Sequence, residues 1–294
     1  HKFVIVTSGA VSLGAYELDY KSRPTSMKKL QVASSVGQIK LINEYQTIFS
    51  KYSLKIAQVL ITKNLIDDRE QFINTTQALN ELLSQNIIPV INENDIVATE
   101  ELKFGDNDRL SAIVSIIVNA SKLLIVTNKE GLYNFNPDKN SEAKVIDFIQ
   151  YDSSQLTDLI PISEHGEGQG GFSTKIMAAQ MAGFSGIPTQ IISWNEGALI
   201  DSVNEIKIGT LIKPSDKKVK LKKLWIAYGL QIIGKIIIDN GAVEAIKSDA
   251  SLLSIGIKEI VKSFNSDDGI EIFDEQDNLI AKGVSKLVSM NITK

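Results

Sequence analysis

Ile87-Ile88-Pro89-Val90-Ile91-Asn92-Glu93-Asn94-Asp95 is the stretch that decides the fold. Its apolar run has no alternation, which suits a strand buried on both faces, as in a parallel sheet covered by helices. The run stops in four consecutive polar side chains, and in such sheets ligands bind outside the carboxyl ends of the strands. The same arrangement recurs on either side. Apolar runs at residues 3–6, 56–60, 123–126 and 190–192 alternate with helical patterns at 27–48, 70–84, 109–119 and 175–181. Strand and helix in turn predict an α/β domain around a mainly parallel sheet. Thr7-Ser8-Gly9-Ala10 follows the first run and Thr127-Asn128-Lys129-Glu130-Gly131 the fourth, so three polar loops fall on one sheet edge.

The pattern changes after Lys213-Pro214-Ser215-Asp216-Lys217-Lys218, a polar joint containing proline. Short β-type runs at residues 225–227, 232–238, 270–273 and 284–288 surround one helical pattern at 242–247, with Asp-Asn-Gly and Asp-Asp-Gly turn signals. These predict a small, barrel-like β domain. The expected organisation is therefore a domain over residues 1–213, a linker over 214–224 and a second domain over 225–294. At 294 residues and 43% hydrophobic content the chain can supply two cores. A net charge of −4 gives no footprint for a nucleic-acid or membrane partner. Cysteine is absent and the only histidines are His1 and His165, which excludes disulfides, thiolate chemistry and His-based triads. With no long apolar run, a cytoplasmic location is expected. The chain enters a β-type run at its first residues without an initiator Met, which reads as a sequence lacking an N-terminal segment. A polypeptide truly starting at His1 is expected to fold poorly or to be inactive.

Gly166-Glu167-Gly168-Gln169-Gly170-Gly171-Phe172-Ser173-Thr174-Lys175 is the strongest phosphate signal. Glycines let backbone N–H groups approach a phosphate, and a helix N-terminus adds partial positive charge. It is not a P-loop, because Phe172 stands where the lysine belongs and Lys175 follows the hydroxyl residues. Ser8-Gly9-Ala10 suits an anion-binding turn or a plain helix N-cap, and lacks the surroundings of a hydrolase nucleophile. Asn92-Glu93-Asn94-Asp95 and Gly105-Asp106-Asn107-Asp108 look at first like metal ligands, but the second lacks calcium-loop spacing, and Asp106 could cap the helix behind it. Asp and Asn together suit a zwitterionic ligand, Asp accepting from an ammonium and Asn donating to a carboxylate. Phosphoryl transfer needs cations and oriented dipoles more than acid–base groups. A hydroxyl acceptor usually wants a base, whereas a carboxylate is already ionised at neutral pH. A chain almost without histidine therefore favours a kinase that forms an acyl phosphate.

Val6-Thr7-Ser8-Gly9-Ala10, Pro89 through Asp95, Phe104-Gly105-Asp106-Asn107-Asp108, Gly131-Leu132-Tyr133 and residues 168–175 together resemble the motif series of the amino acid kinase family. The resemblance covers essentially the whole chain, with a C-terminal part similar to a PUA domain. It implies a three-layer α/β sandwich with a mainly parallel central sheet, plus a small β-barrel-like PUA domain. It also implies ATP-dependent phosphorylation of the glutamate side-chain carboxylate to glutamyl 5-phosphate, in proline biosynthesis. On that basis Ser8, Asp95 and Asn107 fall on glutamate-binding positions. Thr127, Asn128, Gln169, Gly170, Gly171, Phe172, Ser173, Thr174 and Lys175 fall on ATP-binding positions. Lys175 matches the lysine that stabilises the transferring phosphoryl group, and Asp108 a residue that orients catalytic lysines. Mg²⁺ accompanies ATP, with no direct protein ligand assigned. Asn128 stands where many members carry Asp, and Gln169 where Thr is common. A preceding strand with a second catalytic lysine is not in this sequence. A homo-oligomer and proline as a feedback inhibitor at or near the glutamate site are further implications. The alternatives are a related kinase acting on acetylglutamate, aspartate, carbamate or UMP, and an RNA-binding regulatory protein acting through the PUA-like part. The Asp95/Asn107 pair favours a free amino group over an acetylated one. The acidic balance weighs against RNA, and Lys217, Lys218, Lys220, Lys222 and Lys223 read more simply as a solvated linker.

Overall fold

The computed structural model describes residues 1–62, 65, 68–97, 107–135, 137, 140–159, 172–195, 197–216, 232–248 and 250–291. The chain forms two compact units, His1–Lys218 and Val219–Lys294.

The first unit begins with β1 (Ile5–Val6), α1 (Ala10–Glu17), α2 (Met27–Ser50), β2 (Lys55–Ile61), α3 (Arg69–Ser84) and β3 (Ile87–Glu93). The three strands form a parallel sheet in the order β1-β3-β2. β3 is central, which explains its unbroken apolar run: Val90 and Ile91 are fully enclosed. Because the strands run parallel, their carboxyl ends share one edge. There the Thr7 N–H donates to the Ile91 carbonyl at 2.9 Å, bringing the Thr7–Ser8 turn beside Asn92.

α1 and α2 lie in very close contact. A Cβ on Gly14 would sit 1.7 Å from the Ala33 carbonyl oxygen, and one on Gly37 would sit 1.8 Å from that of Ala10. Only glycine permits that approach of two backbones. The loop between the helices is fixed by Leu18, Tyr20 and Met27, which pack against buried Val11, Leu30 and Ala33.

The unit continues with α4 (Asn107–Ile117), β4 (Leu123–Thr127), β5 (Phe148–Gln150), α5 (Ser154–Asp158), α6 (Phe172–Phe184), β6 (Thr189–Ser193), α7 (Ala198–Val203) and β7 (Thr210–Lys213). These strands form a second sheet in the order β4-β6-β7-β5. β4–β6 and β5–β7 are parallel, and β6–β7 is antiparallel. The expected mainly parallel α/β architecture is present, divided among the described residues into two sheets. α4 spans the division, packing on β1 and β3 of one sheet, on β4 of the other, and along α6.

In the second unit β8 (Ile232–Ile238), α8 (Asn240–Lys247), β9 (Ile257–Lys262), β10 (Gly269–Phe273) and β11 (Leu279–Val284) form a sheet in the order β11-β10-β8-β9. Its core is Ile236, Ile238, Ala242, Val243, Phe264, Ile270 and Ile272. The Asp239 carboxylate caps α8 by accepting from the Ala242 N–H at 2.8 Å. Among the described residues the sheet does not close into a barrel, and the expected run at residues 225–227 lies outside them.

Candidate active site

At the carboxyl edge of the first sheet lies a cleft of about 150 Å³, lined by Ser8 through Ser12, Arg23, Asn92, Glu93, Asp95 and Asn107. That is below the range of drug-sized pockets and suits a small metabolite. All three residues assigned to an acceptor amino acid, Ser8, Asp95 and Asn107, are therefore together. Ser8 is exposed and does not cap α1. The N-cap is Gly9, whose φ of 107° lies in the left-handed region, with no side-chain cap bond. That leaves Ser8 available to a ligand.

One face of α2 holds this edge in place. Ser34 Oγ donates to Asp95 Oδ2 at 2.5 Å, Asn92 Nδ2 donates to Gln38 Oε1 at 2.9 Å, and Tyr45 OH donates to Thr7 Oγ1 at 2.9 Å. Farther along, Gln31 Nε2 donates to the Ile96 carbonyl at 3.1 Å. Positions 31, 34, 38 and 45 recur at helical spacing, so they share one face of α2. Asn92 Oδ1 is shared by the Glu93 N–H at 2.8 Å and by Asn107 Nδ2 at 3.1 Å.

Asn107 opens α4 and its amide orientation follows from its partners. Nδ2 lies 2.8 Å from the Thr7 carbonyl oxygen, which can only accept, so the amide nitrogen must face it. Asn107 Oδ1 is then left buried with no hydrogen-bond partner among the described residues. A buried unsatisfied acceptor costs roughly 1–3 kcal/mol. This atom wants an N–H, so Asn107 suits the ammonium of a ligand, whereas its composition had suggested donation to a carboxylate.

The next residue, Asp108, faces the other way. Its Oδ2 accepts from Thr174 Oγ1 at 2.6 Å and from Lys175 Nζ at 2.9 Å, both in the first turn of α6. Ser173 is half-buried in the same turn, and Phe172 begins the helix. Thr127 ends β4 and Asn128 follows it. Thr127 Oγ1 donates to Asn128 Oδ1 at 3.3 Å, and the Thr127 carbonyl accepts from the Trp194 N–H at 2.8 Å. α6 packs on β4, β6 and β7, which places Lys175 and Thr127 on elements in contact. Gln169, Gly170 and Gly171 lie outside the described residues, as does Asp106 with its expected capping role.

Arg23, Ser34, Gln38 and Tyr45 were not singled out from the sequence. The last three carried a legible signal, polar residues on the buried face of an otherwise amphipathic helix. Arg23 carried none. Among the described residues no group of three or more His, Asp or Glu side chains could hold a metal ion. Nor is any described helix long and apolar enough to cross a membrane.

Comparison with known proteins adds to this geometry. The profile of the amino acid kinase family matches residues 1–193, and that of the PUA domain matches residues 234–294. The chain is 41% identical to a glutamate 5-kinase of Prochlorococcus marinus strain MIT 9301, across 98% of this chain and 81% of that protein. It is 40% identical to the glutamate 5-kinase of strain AS9601, with coverage of 98% and 81%. Against the glutamate 5-kinase of Shigella flexneri the identity is also 40%, with coverage of 97% and 78%.

Proposed function

The chain belongs to the amino acid kinase family, and from that membership we propose that it phosphorylates the side-chain carboxylate of L-glutamate with ATP. The product is glutamyl 5-phosphate, and the step is the first of proline biosynthesis. One observation carries this: consecutive residues at the start of α4 serve two half-sites. Asn107 closes the acceptor cleft, while Asp108 holds Lys175 and Thr174 of the phosphate-facing helix.

The acceptor's ammonium is taken by Asp95 and by Asn107 Oδ1. Its side-chain carboxylate is already ionised at neutral pH, so no general base is required. A carboxylate oxygen attacks the γ-phosphorus in line. The new O–P bond forms as the bond to the β–γ bridging oxygen breaks, and ADP leaves with that electron pair. Lys175 Nζ stabilises the negative charge spread over the transferring group, and Asp108 fixes where that ammonium points. Thr127, Asn128 and the 169–174 segment would hold the nucleotide. Mg²⁺ would arrive on the triphosphate.

Proline shares glutamate's α-carboxylate and ammonium, which supports a feedback inhibitor at or near the same cleft. A cytoplasmic homo-oligomer completes the proposal. The test is one assay. ATP and Mg²⁺ are supplied with glutamate, acetylglutamate, aspartate or UMP, and any acyl phosphate is trapped with hydroxylamine. Hydroxamate from glutamate and not from the other acids is expected. Product only with another acceptor would overturn the assignment.

A further inference from the structure

Arg23 lines the same cleft as Asp95 and Asn107 and has been given no role. We propose that Arg23 binds the α-carboxylate of the acceptor amino acid and so makes a free α-carboxylate a requirement for efficient turnover. This rests on the glutamate assignment above.

The charges in the cleft lead to this residue. Among the described residues its lining carries two carboxylates, Glu93 and Asp95, the neutral polar side chains Ser8, Ser12, Asn92 and Asn107, and one cationic side chain, Arg23. Glutamate brings one ammonium and two carboxylates. The ammonium is satisfied by Asp95 and Asn107, and the reacting carboxylate must face the phosphoryl group beside Lys175. The α-carboxylate then remains, next to Glu93 and Asp95, and like charges in a partly buried site cost affinity. A guanidinium offsets them. Its planar fork matches a carboxylate bidentately, and its five N–H donors let it serve a ligand as well as a protein partner. The first turn of α1, Gly9 through Ser12, lines the cleft too and adds partial positive charge of the same sign.

Arg23 is also held in place. It lies in the loop joining α1 to α2, directly before buried Pro24. The loop is fixed by Leu18, Tyr20 and Met27 on the Val11–Leu30–Ala33 cluster. Arg23 itself is exposed while Asp95 is buried, so the anionic group lies deeper than the cationic one. An amino acid seated there would hold its ammonium deeper, at Asp95, and its α-carboxylate nearer the surface, at Arg23.

The experiment compares L-glutamate with isoglutamine, which keeps the side-chain carboxylate and replaces the α-carboxylate with a carboxamide. Wild type, R23A, R23Q and R23K are assayed by hydroxamate formation with each acceptor. Wild type should favour glutamate in kcat/KM by about 10- to 100-fold, the range for a charge-assisted contact. R23A and R23Q should lose that preference to within about threefold, chiefly through KM for glutamate, and R23K should restore part of it. R23Q keeps most of the side-chain volume, so it answers the question if R23A folds poorly. A preference that survives in both variants, with both acceptors weakened equally, would show that Arg23 does not contact the α-carboxylate. A wild type that makes hydroxamate from neither acceptor would instead remove the glutamate assignment, and this inference with it.

Discussion

Lys175 and Asp108 meet at 2.9 Å with side chains only 14% and 18% exposed, so solvent screens their attraction far less than at a surface ion pair. Thr174 adds a 2.6 Å bond to the same carboxylate oxygen, which fixes the anion that Lys175 meets. Orienting a cation before charge develops is how such a group accelerates transfer. K175A should therefore lower kcat by ~10²–10³, as lost transition-state stabilisation does elsewhere. Its KM for glutamate should change little, because Lys175 does not line the acceptor cleft. Steady-state kinetics checks both, and near-normal turnover would take Lys175 out of the mechanism. At this scale the motifs drew attention to much of the candidate site, since Asp95, Asn107, Asp108 and Lys175 each stand in a dense polar or glycine-rich cluster. Arg23 was not legible, because it sits in an ordinary loop and reaches the cleft only through packing. The direction of the Asn107 amide was not legible either. It depends on the Thr7 carbonyl, a hundred positions away along the chain.

Among the elements, α2 does most to shape the acceptor side. It supplies Ser34, Gln38 and Tyr45 to the sheet edge, and it presses on α1 through Gly37 and Gly14. A methyl group at position 37 would collide with the Ala10 carbonyl carbon and oxygen and with the Gly14 nitrogen, all backbone atoms that no rotamer change can clear. Overpacking commonly costs ~1–3 kcal/mol. G37A should reach at least the upper part of that range and lower the midpoint of thermal unfolding by several degrees. The displaced Ala10 follows Ser8 and Gly9 directly, so KM for glutamate should rise as well. An unchanged unfolding midpoint would mean that the two helices separate freely. The start of α1 was legible in the Ser8-Gly9-Ala10 turn but its extent was not, because Gly14 lowers its helix propensity. β5 and β7 were missed because they are short and present an alternating or exposed face. β9 was missed because charged residues interrupt its apolar positions. Strands buried on both faces, β3 above all, were legible because burial dictates their composition.

For the whole molecule, the sequence break after Lys213 and the boundary between the two compact units fall close together. The second unit has the lysines that a phosphate backbone would seek. However, Lys235, Lys247, Lys258, Lys282 and Lys286 each lie beside a carboxylate, of Asp277, Glu244, Glu275, Glu271 and Asp267 respectively. Nucleic acid would have to compete with these solvent-exposed pairs, each of which is worth little.

Within the first unit, α4 touches both sheets and carries Asn107 and Asp108 side by side at its first turn. On the proposed roles, a ligand drawing on Asn107 Oδ1 and a nucleotide drawing on Lys175 act on adjacent peptide units of one stiff rod. Heterotropic cooperativity follows if either one shifts that rod. Thermodynamics then fixes its form: the factor by which a non-hydrolysable nucleotide changes glutamate's dissociation constant must equal the factor by which glutamate changes the nucleotide's. Calorimetric titration of each ligand, with and without the other, should give that matched factor in the wild type. In N107A, where the rod loses its grip on the Thr7 carbonyl, the factor should fall toward one.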